Sequence, residues 1–139
     1  MIELDNRTTL TVDELLLNKI ANSLTDKEIE LIITNNSEIQ EINYAHRNID
    51  KATDVLSFPY EDMPMSPLGS IVIADGFVLD KANELGHTVS DEMTLLFIHG
   101  LLHLLGYDHE VDSGEMRDKE ESLIKEFKLP TSLIVRTQG

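Results

Sequence analysis

The chain of 139 residues is long enough to bury a core without cross-links, and we expect one domain over residues 1–139. It has no cysteine, which excludes disulfides and thiolate metal sites, and its net charge of −15 disfavours broad, non-specific binding to nucleic acid. No secretory signal pattern opens it, and no apolar run reaches the roughly 18 residues that span a bilayer, so we expect a cytoplasmic protein without a membrane partner.

The first part of the chain alternates helical and extended patterns. A helix is predicted from Thr11, which has Glu14 three residues ahead in capping-box spacing. The run Glu30–Thr34 predicts a short strand, and the apolar spacing that follows it predicts a second helix through Tyr44.

Two further strands are predicted in the middle of the chain. Asp54–Phe58 alternates in the period of a strand that Pro59 limits, and Gly69–Ala74 is typical of a strand buried on both faces. Phe77–Leu85 then predicts a helix that Gly86 closes.

The last third predicts two helices. Ser90 is a candidate N-cap for an apolar helix that runs to Leu105, and Gly106 is placed to end it in a left-handed conformation. Asp112 and Glu115 offer a second capping box before the final helix. Because strands and helices interleave, we expect an α/β or α+β fold in which helices pack on a small, mostly parallel or mixed sheet.

Three of the five histidines lie in the sequence HGLLHLLGYDH, which covers residues 99–109. His99 and His103 are four residues apart, so on a helix they share one face within about 40°. Gly106 breaks the helix and lets the chain bring His109 back toward the same point. Three imidazoles and an open position describe a catalytic rather than a structural zinc site, although imidazole also binds other divalent transition metals.

Position 100 is glycine, where metallopeptidases of the H-E-x-x-H type have the glutamate that acts as general base. Peptide hydrolysis is therefore disfavoured, whereas a phosphodiester remains possible if a cation stabilises the phosphate charge. Arg47 is the best candidate for that cation, because its planar guanidinium can hold two phosphate oxygens. By residue type alone, a surface salt bridge is the more common role for such an arginine. Asp108 could orient a ligating histidine or cap the turn, and the sequence favours neither.

The sequences HGLLHLLGYDH, TDVLSF and EMRDKEESL resemble the YbeY family of bacterial metal-dependent ribonucleases and rRNA maturation factors, from about Ile42 to about Leu123. The resemblance implies a compact α/β fold related to zincins, and one zinc ion on His99, His103 and His109. The resemblance implies that Arg47 and these three histidines are the catalytic residues, and that Arg47 also binds the substrate.

The resemblance also implies a function and its partners. It predicts a single-strand-specific endoribonuclease that processes the 3′ end of 16S rRNA and acts in late small-subunit quality control. Its partners would be rRNA, small-subunit ribosomal proteins and an assembly GTPase, and delivery by these proteins would offset the acidic charge. Two departures concern catalytic detail: Ser70 stands where the family usually has aspartate, and His46 where an aromatic residue commonly precedes the arginine.

Two other functions remain open from the sequence. One is a ribosome-assembly factor whose metal is structural, and the other is a metal hydrolase that acts on a small substrate. The sequence assigns no general base.

Overall fold

A computed structural model describes residues 1–108 and 110–130. The described chain forms four strands and five helices. The strands are β1 (Ile2–Asn6), β2 (Ile29–Thr34), β3 (Val55–Pro59) and β4 (Gly69–Ala74). The helices are α1 (Glu14–Leu24), α2 (Asn36–Arg47), α3 (Asp75–Leu85), α4 (Val89–Leu104) and α5 (Glu115–Glu126).

The strands form one mixed sheet in the order β1-β2-β4-β3. β1 pairs with β2 and β2 with β4 in parallel, while β3 pairs antiparallel with β4 at the edge. All six residues of β4 are buried, as the apolar run Gly69–Ala74 predicts. Pro59 ends the edge strand, where a residue without an N–H is tolerated. The predicted α/β class with a small mixed sheet is confirmed.

The sheet separates two apolar layers. On one face, side chains of β2 and β4 such as Leu31 and Ile71 pack with α1 and α4 in the larger core. On the other face, Val72 and Leu56 pack with Ile39 of α2. α4 is the central helix, because eleven of its 16 residues are buried, and its long apolar run reflects burial around most of its surface.

The N-termini of two helices differ from the sequence prediction. The N-cap of α1 is Asp13, whose carboxylate accepts from the amide of Leu16, so the prediction of Thr11 is wrong. The N-cap of α4 is Thr88, whose hydroxyl accepts from the amide of Asp91, and Ser90 lies inside the helix. Several residues that can cap lie close together in both segments, so composition alone does not select the position.

The start of α5 also lies later than the predicted capping box. Gly114 is the N-cap, with φ of 105°. Asp112 still accepts from the amide of Met116, and Glu115 accepts from the amide of Ser113. The two acidic residues therefore cap the turn before the helix. The prediction of a helix closed by Gly86 is confirmed, and Gly86 has φ of 74°.

The strand β1 has no counterpart in the sequence prediction. Its five residues, IELDN, include only two apolar side chains, and the strand forms by pairing with β2 at a sheet edge. Tertiary pairing rather than local pattern thus determines this element. Among the described residues, no helix is long and apolar enough to cross a membrane.

Candidate functional site

The two histidines of α4 meet ring to ring. His99 and His103 are one turn apart on the same face, and their ring centroids are 4.7 Å apart with an interplanar angle of 78°. Their Nε2 atoms lie 3.2 Å from each other. The four-residue spacing therefore places both imidazoles on one face of α4 and in contact, as the sequence predicts.

Outer hydrogen bonds orient both rings. His99 Nδ1 lies 2.8 Å from Oε1 of Glu120 on α5, and His103 Nδ1 lies 3.1 Å from the carbonyl oxygen of Tyr107. A carboxylate and a carbonyl only accept, so each Nδ1 is assigned as the donor. Each neutral ring then presents the Nε2 lone pair toward the other histidine, which is the arrangement that a cation between them stabilises.

The turn after α4 supplies the carbonyl that holds His103. Gly106 has φ of 100°, and the chain reverses there so that the amide of Tyr107 donates to the carbonyl of Leu102. The positive φ confirms the prediction that Gly106 ends the helix in a left-handed conformation. His109, the predicted third ligand, lies outside the described residues.

Arg47 is the last residue of α2, and its side chain lies at the edge strand β3, in the same cavity as the two histidines. Its Nη2 donates to the carbonyl oxygen of Ser57 in β3 at 3.0 Å, and its guanidinium carbon lies 5.6 Å from the ring centroid of Phe58. Within the described chain, these contacts fix the guanidinium by a strand carbonyl and an aromatic face. Among residues 1–108 and 110–130, Arg47 forms no salt bridge of the kind that its residue type favours.

One cavity of about 170 Å³ joins these residues. Arg47, His99, His103 and Gly100 line it, together with residues of the β3 segment: Asp54, Val55 and Ser57. The structure thus brings together three of the four predicted site residues. Asp54 places a carboxylate in the lining, and its Oδ1 accepts from the amide of Val55 at 2.8 Å.

The residues present fit a transition-metal ion of the zinc type. Two imidazoles converge through Nε2, and each is held by an acceptor at Nδ1, as is usual for histidines that bind zinc. In the described ranges, 1–108 and 110–130, no group of three His, Cys, Asp or Glu side chains could hold a metal by itself. The two described donors therefore need a further ligand, and His109 remains the predicted one.

Gly100 is required by packing as well as being a departure from the peptidase motif. A Cβ at this position would lie 2.9 Å from Cγ2 of Ile71 and 3.4 Å from Cγ2 of Val55. The glycine therefore lets α4 approach the sheet closely, and a residue with a Cβ at this position would force Ile71 to shift.

Both departures from the family pattern are neighbours of Phe58, whose ring lies under Arg47. The exposed His46 packs its ring against Phe58, with centroids 5.0 Å apart. Ser70 is buried in β4, where Phe58 and Glu30 are its neighbours across the sheet. The hydroxyl of Tyr60 donates to Glu30, and this bond raises the pKa of the tyrosine.

Sequence reasoning did not identify Glu120. Asp108 was a candidate for orienting a histidine, but its Oδ1 accepts from the amide of Glu110 and caps the turn. A signal was present: Glu120 lies at helical spacing from Met116 and Leu123, so it places a carboxylate within the apolar stripe of α5.

The chain is similar to known proteins over nearly its whole length. A family model described as "Endoribonuclease YbeY" matches residues 2–128. A Sulfurimonas denitrificans protein named endoribonuclease YbeY is 67% identical over 139 residues, which is 100% of both chains. A Helicobacter pylori protein of the same name is 56% identical over 139 residues, 99% of each chain. The solution structure of TM1509 from Thermotoga maritima is similar with a TM-score of 0.63 and 29% identity, over 91% of this chain and 89% of that one.

Proposed function

The chain belongs to the endoribonuclease YbeY family, and from that premise we propose that it is a zinc-dependent, single-strand-specific endoribonuclease of the cytoplasm. Its substrate is the 3′ end of 16S rRNA, and it acts in maturation and late quality control of the small ribosomal subunit. The observation that carries the proposal is the cavity in which Arg47 faces the pair His99 and His103. A cation that binds phosphate and a pair of metal donors are two parts that metal-assisted phosphodiester hydrolysis uses.

His99, His103 and His109 would hold the zinc ion. When bound, zinc supplies Lewis acidity that polarises a phosphoryl oxygen and lowers the pKa of a water molecule. Glu120 and the Tyr107 carbonyl hold the two described rings with Nε2 toward the cavity. The site thus needs little reorganisation when the ion binds.

Arg47 binds and orients the phosphate. The Ser57 carbonyl takes one of the five N–H donors of its guanidinium, and Phe58 lies beneath the group, so the fork is held at the cavity. Its charge stabilises the negative charge that develops on phosphate oxygens during cleavage.

The acidic surface suits an enzyme that is delivered to its substrate. A net charge of −15 repels RNA at a distance, so little affinity comes from the general electrostatic attraction of phosphates. Small-subunit ribosomal proteins and an assembly GTPase, the predicted partners, would place the rRNA end at the cavity. Recognition then depends on docking and on local contacts at Arg47.

The experiment compares zinc-loaded wild type with Arg47→Ala and His103→Ala on single-stranded and duplexed 16S 3′-end RNA, after removal of contaminating nucleases. Arg117→Ala removes the same charge from an exposed position of α5 and serves as the matched control. We expect cleavage of the single strand by wild type and Arg117→Ala, and a loss of at least about 100-fold in the two site variants.

Equal cleavage by wild type and both site variants would contradict the proposal. It would favour an assembly factor that acts by binding. Loss of folding in His103→Ala, with full activity in Arg47→Ala, would indicate a structural metal instead.

A further inference from the structure

Glu120 is a carboxylate buried in the apolar face of α5. It is 6% exposed, and its neighbours on that face are Met116 at 1%, Leu123 at 1% and Ile124 at 0%. An ionised carboxylate in such surroundings is costly unless a partner compensates it. Its partner is the ring of His99, with 2.8 Å between Oε1 and Nδ1.

This contact determines which nitrogen of His99 faces the cavity. The carboxylate accepts a hydrogen bond from Nδ1–H, so in this tautomer the ring carries its lone pair on Nε2, 3.2 Å from Nε2 of His103. The His99 side chain is 32% exposed, whereas that of Glu120 is 7% exposed. The ring therefore has solvent on its cavity side and a fixed acceptor on its inner side.

We propose that Glu120 is the positioning residue for His99: it fixes the ring orientation and tautomer and makes Nε2 a stronger donor toward zinc. The inference deepens the proposed function and rests on the zinc site in it. An acceptor behind a ligating histidine increases the basicity of the ligating nitrogen, and a negative charge does so more than a neutral amide. The position of α5 against α4 is thus part of the metal site.

The test measures zinc affinity by competition with a chelator of known affinity, at one fixed pH, for wild type, Glu120→Gln and Glu120→Ala. Glu121→Gln makes the same change at the next residue, where the carboxylate pairs with Lys125 on the outer face of α5. We expect affinity about 10- to 100-fold lower for Glu120→Gln, a greater loss for Glu120→Ala, and a change within about twofold for Glu121→Gln.

A second readout follows the ring itself in the metal-free protein. Nitrogen-15 shifts of His99 should report a proton on Nδ1 in wild type and in Glu120→Gln, whose amide oxygen still accepts. In Glu120→Ala, the ring should populate the other tautomer. This readout does not depend on activity, and it separates positioning from a general loss of stability.

The outcomes distinguish this inference from the proposed function. If wild type binds zinc and cleaves RNA while both Glu120 variants bind zinc as tightly, only the role of Glu120 is overturned. If Glu120→Ala unfolds, the isosteric Glu120→Gln decides the question by its zinc affinity. If wild type itself binds no zinc, the metal site of the proposed function fails and the role of Glu120 toward it fails as well.

Discussion

Gly100 is both a packing contact between α4 and the sheet and a lining residue of the cavity. Its Cα lies where α4 meets Ile71 of β4 and Val55 of β3, and the same residue lines the cavity. The close approach of the helix places His99 and His103 directly over the sheet edge. A residue with a Cβ at position 100 would therefore disturb both the packing of α4 and the lining of the cavity.

Replacing Gly100 with alanine should destabilise the protein in spite of the higher helix propensity of alanine. Overpacking against Ile71 costs about 1–3 kcal/mol, and the propensity gain of about 1 kcal/mol offsets part of it. We expect a net loss near 1 kcal/mol in urea unfolding. Ile71→Ala removes the contacted methyl group, so the cost of Gly100→Ala should be smaller in that background. An equal cost in both backgrounds would show that the close contact is not its origin.

Arg47 should not be replaceable by lysine. An ammonium group cannot donate in a planar fork to the Ser57 carbonyl and a phosphate together, and it does not place a delocalised planar cation over the Phe58 ring. We expect kcat/KM for RNA cleavage to fall about 10- to 100-fold in Arg47→Lys, as for loss of one charge-assisted hydrogen bond. Arg117→Lys is the control, and equal losses in both variants would remove the special role of Arg47.

The residues of the site were predictable to different degrees. The i, i+4 spacing is sufficient to pair His99 with His103, because a helix imposes that geometry on any sequence. The residue type of Arg47 suggests a cation that binds phosphate, but only the family resemblance favours that role over a surface salt bridge, since α2 and β3 become neighbours through the sheet. Glu120 is 21 residues from His99, and no local pattern gives a contact at that distance.

At the scale of elements, one cluster of hydrogen bonds and an ion pair connects the ends of β1 and β2 with α2. Arg7, which follows β1, donates to Glu38 of α2 at 2.6 Å, and Thr34 at the end of β2 donates to the same carboxylate. The Thr34 hydroxyl first, and then Arg7, lower the pKa of Glu38 below its ordinary value. The cluster thus joins the edge strand β1 to the centre of the sheet.

The stabilisation by Glu38 should depend on pH in a defined direction. A carboxyl group whose pKa is lower in the folded state stabilises above its unfolded pKa, and this contribution is lost as pH falls through the folded value. We expect Glu38→Gln to lower the urea midpoint at about pH 7, and the difference from wild type to shrink below the ordinary value of 4.5. Glu41→Gln, an exposed change on the same helix, is the control. A difference independent of pH would contradict this account.

Some bounds of the helices and strands were predictable from local sequence patterns, and others were not. β4 and α3 have the C-terminal bounds that their apolar runs and the closing Gly86 predict, because these signals are local. β1 depends on backbone pairing with β2, and the helix starts depend on which of several polar residues reaches an amide. Tertiary contacts therefore determine whether β1 forms and where these helices begin.

At the scale of the whole molecule, negative charge limits how RNA can be bound. Because the net charge is −15, the affinity for RNA must come from local contacts at the cavity, where Arg47 is a lining residue. The slope of log K against log salt is about −0.7 per phosphate contact for single strands. We therefore expect a slope no steeper than about −2, reduced by roughly 0.7 in Arg47→Ala. A slope steeper than about −4 would show a broad phosphate-binding surface and contradict the delivery hypothesis.

The central claim is that the cavity around His99 and His103 cleaves RNA with the help of zinc. The most direct measurement is the cleavage rate of single-stranded 16S 3′-end RNA by protein stripped with a chelator and then reloaded with one equivalent of zinc. We predict that stripping abolishes cleavage, that one equivalent restores it, and that His103→Ala recovers no activity at the same zinc concentration. Full cleavage by the stripped protein, with no zinc detected by metal analysis, would contradict the claim.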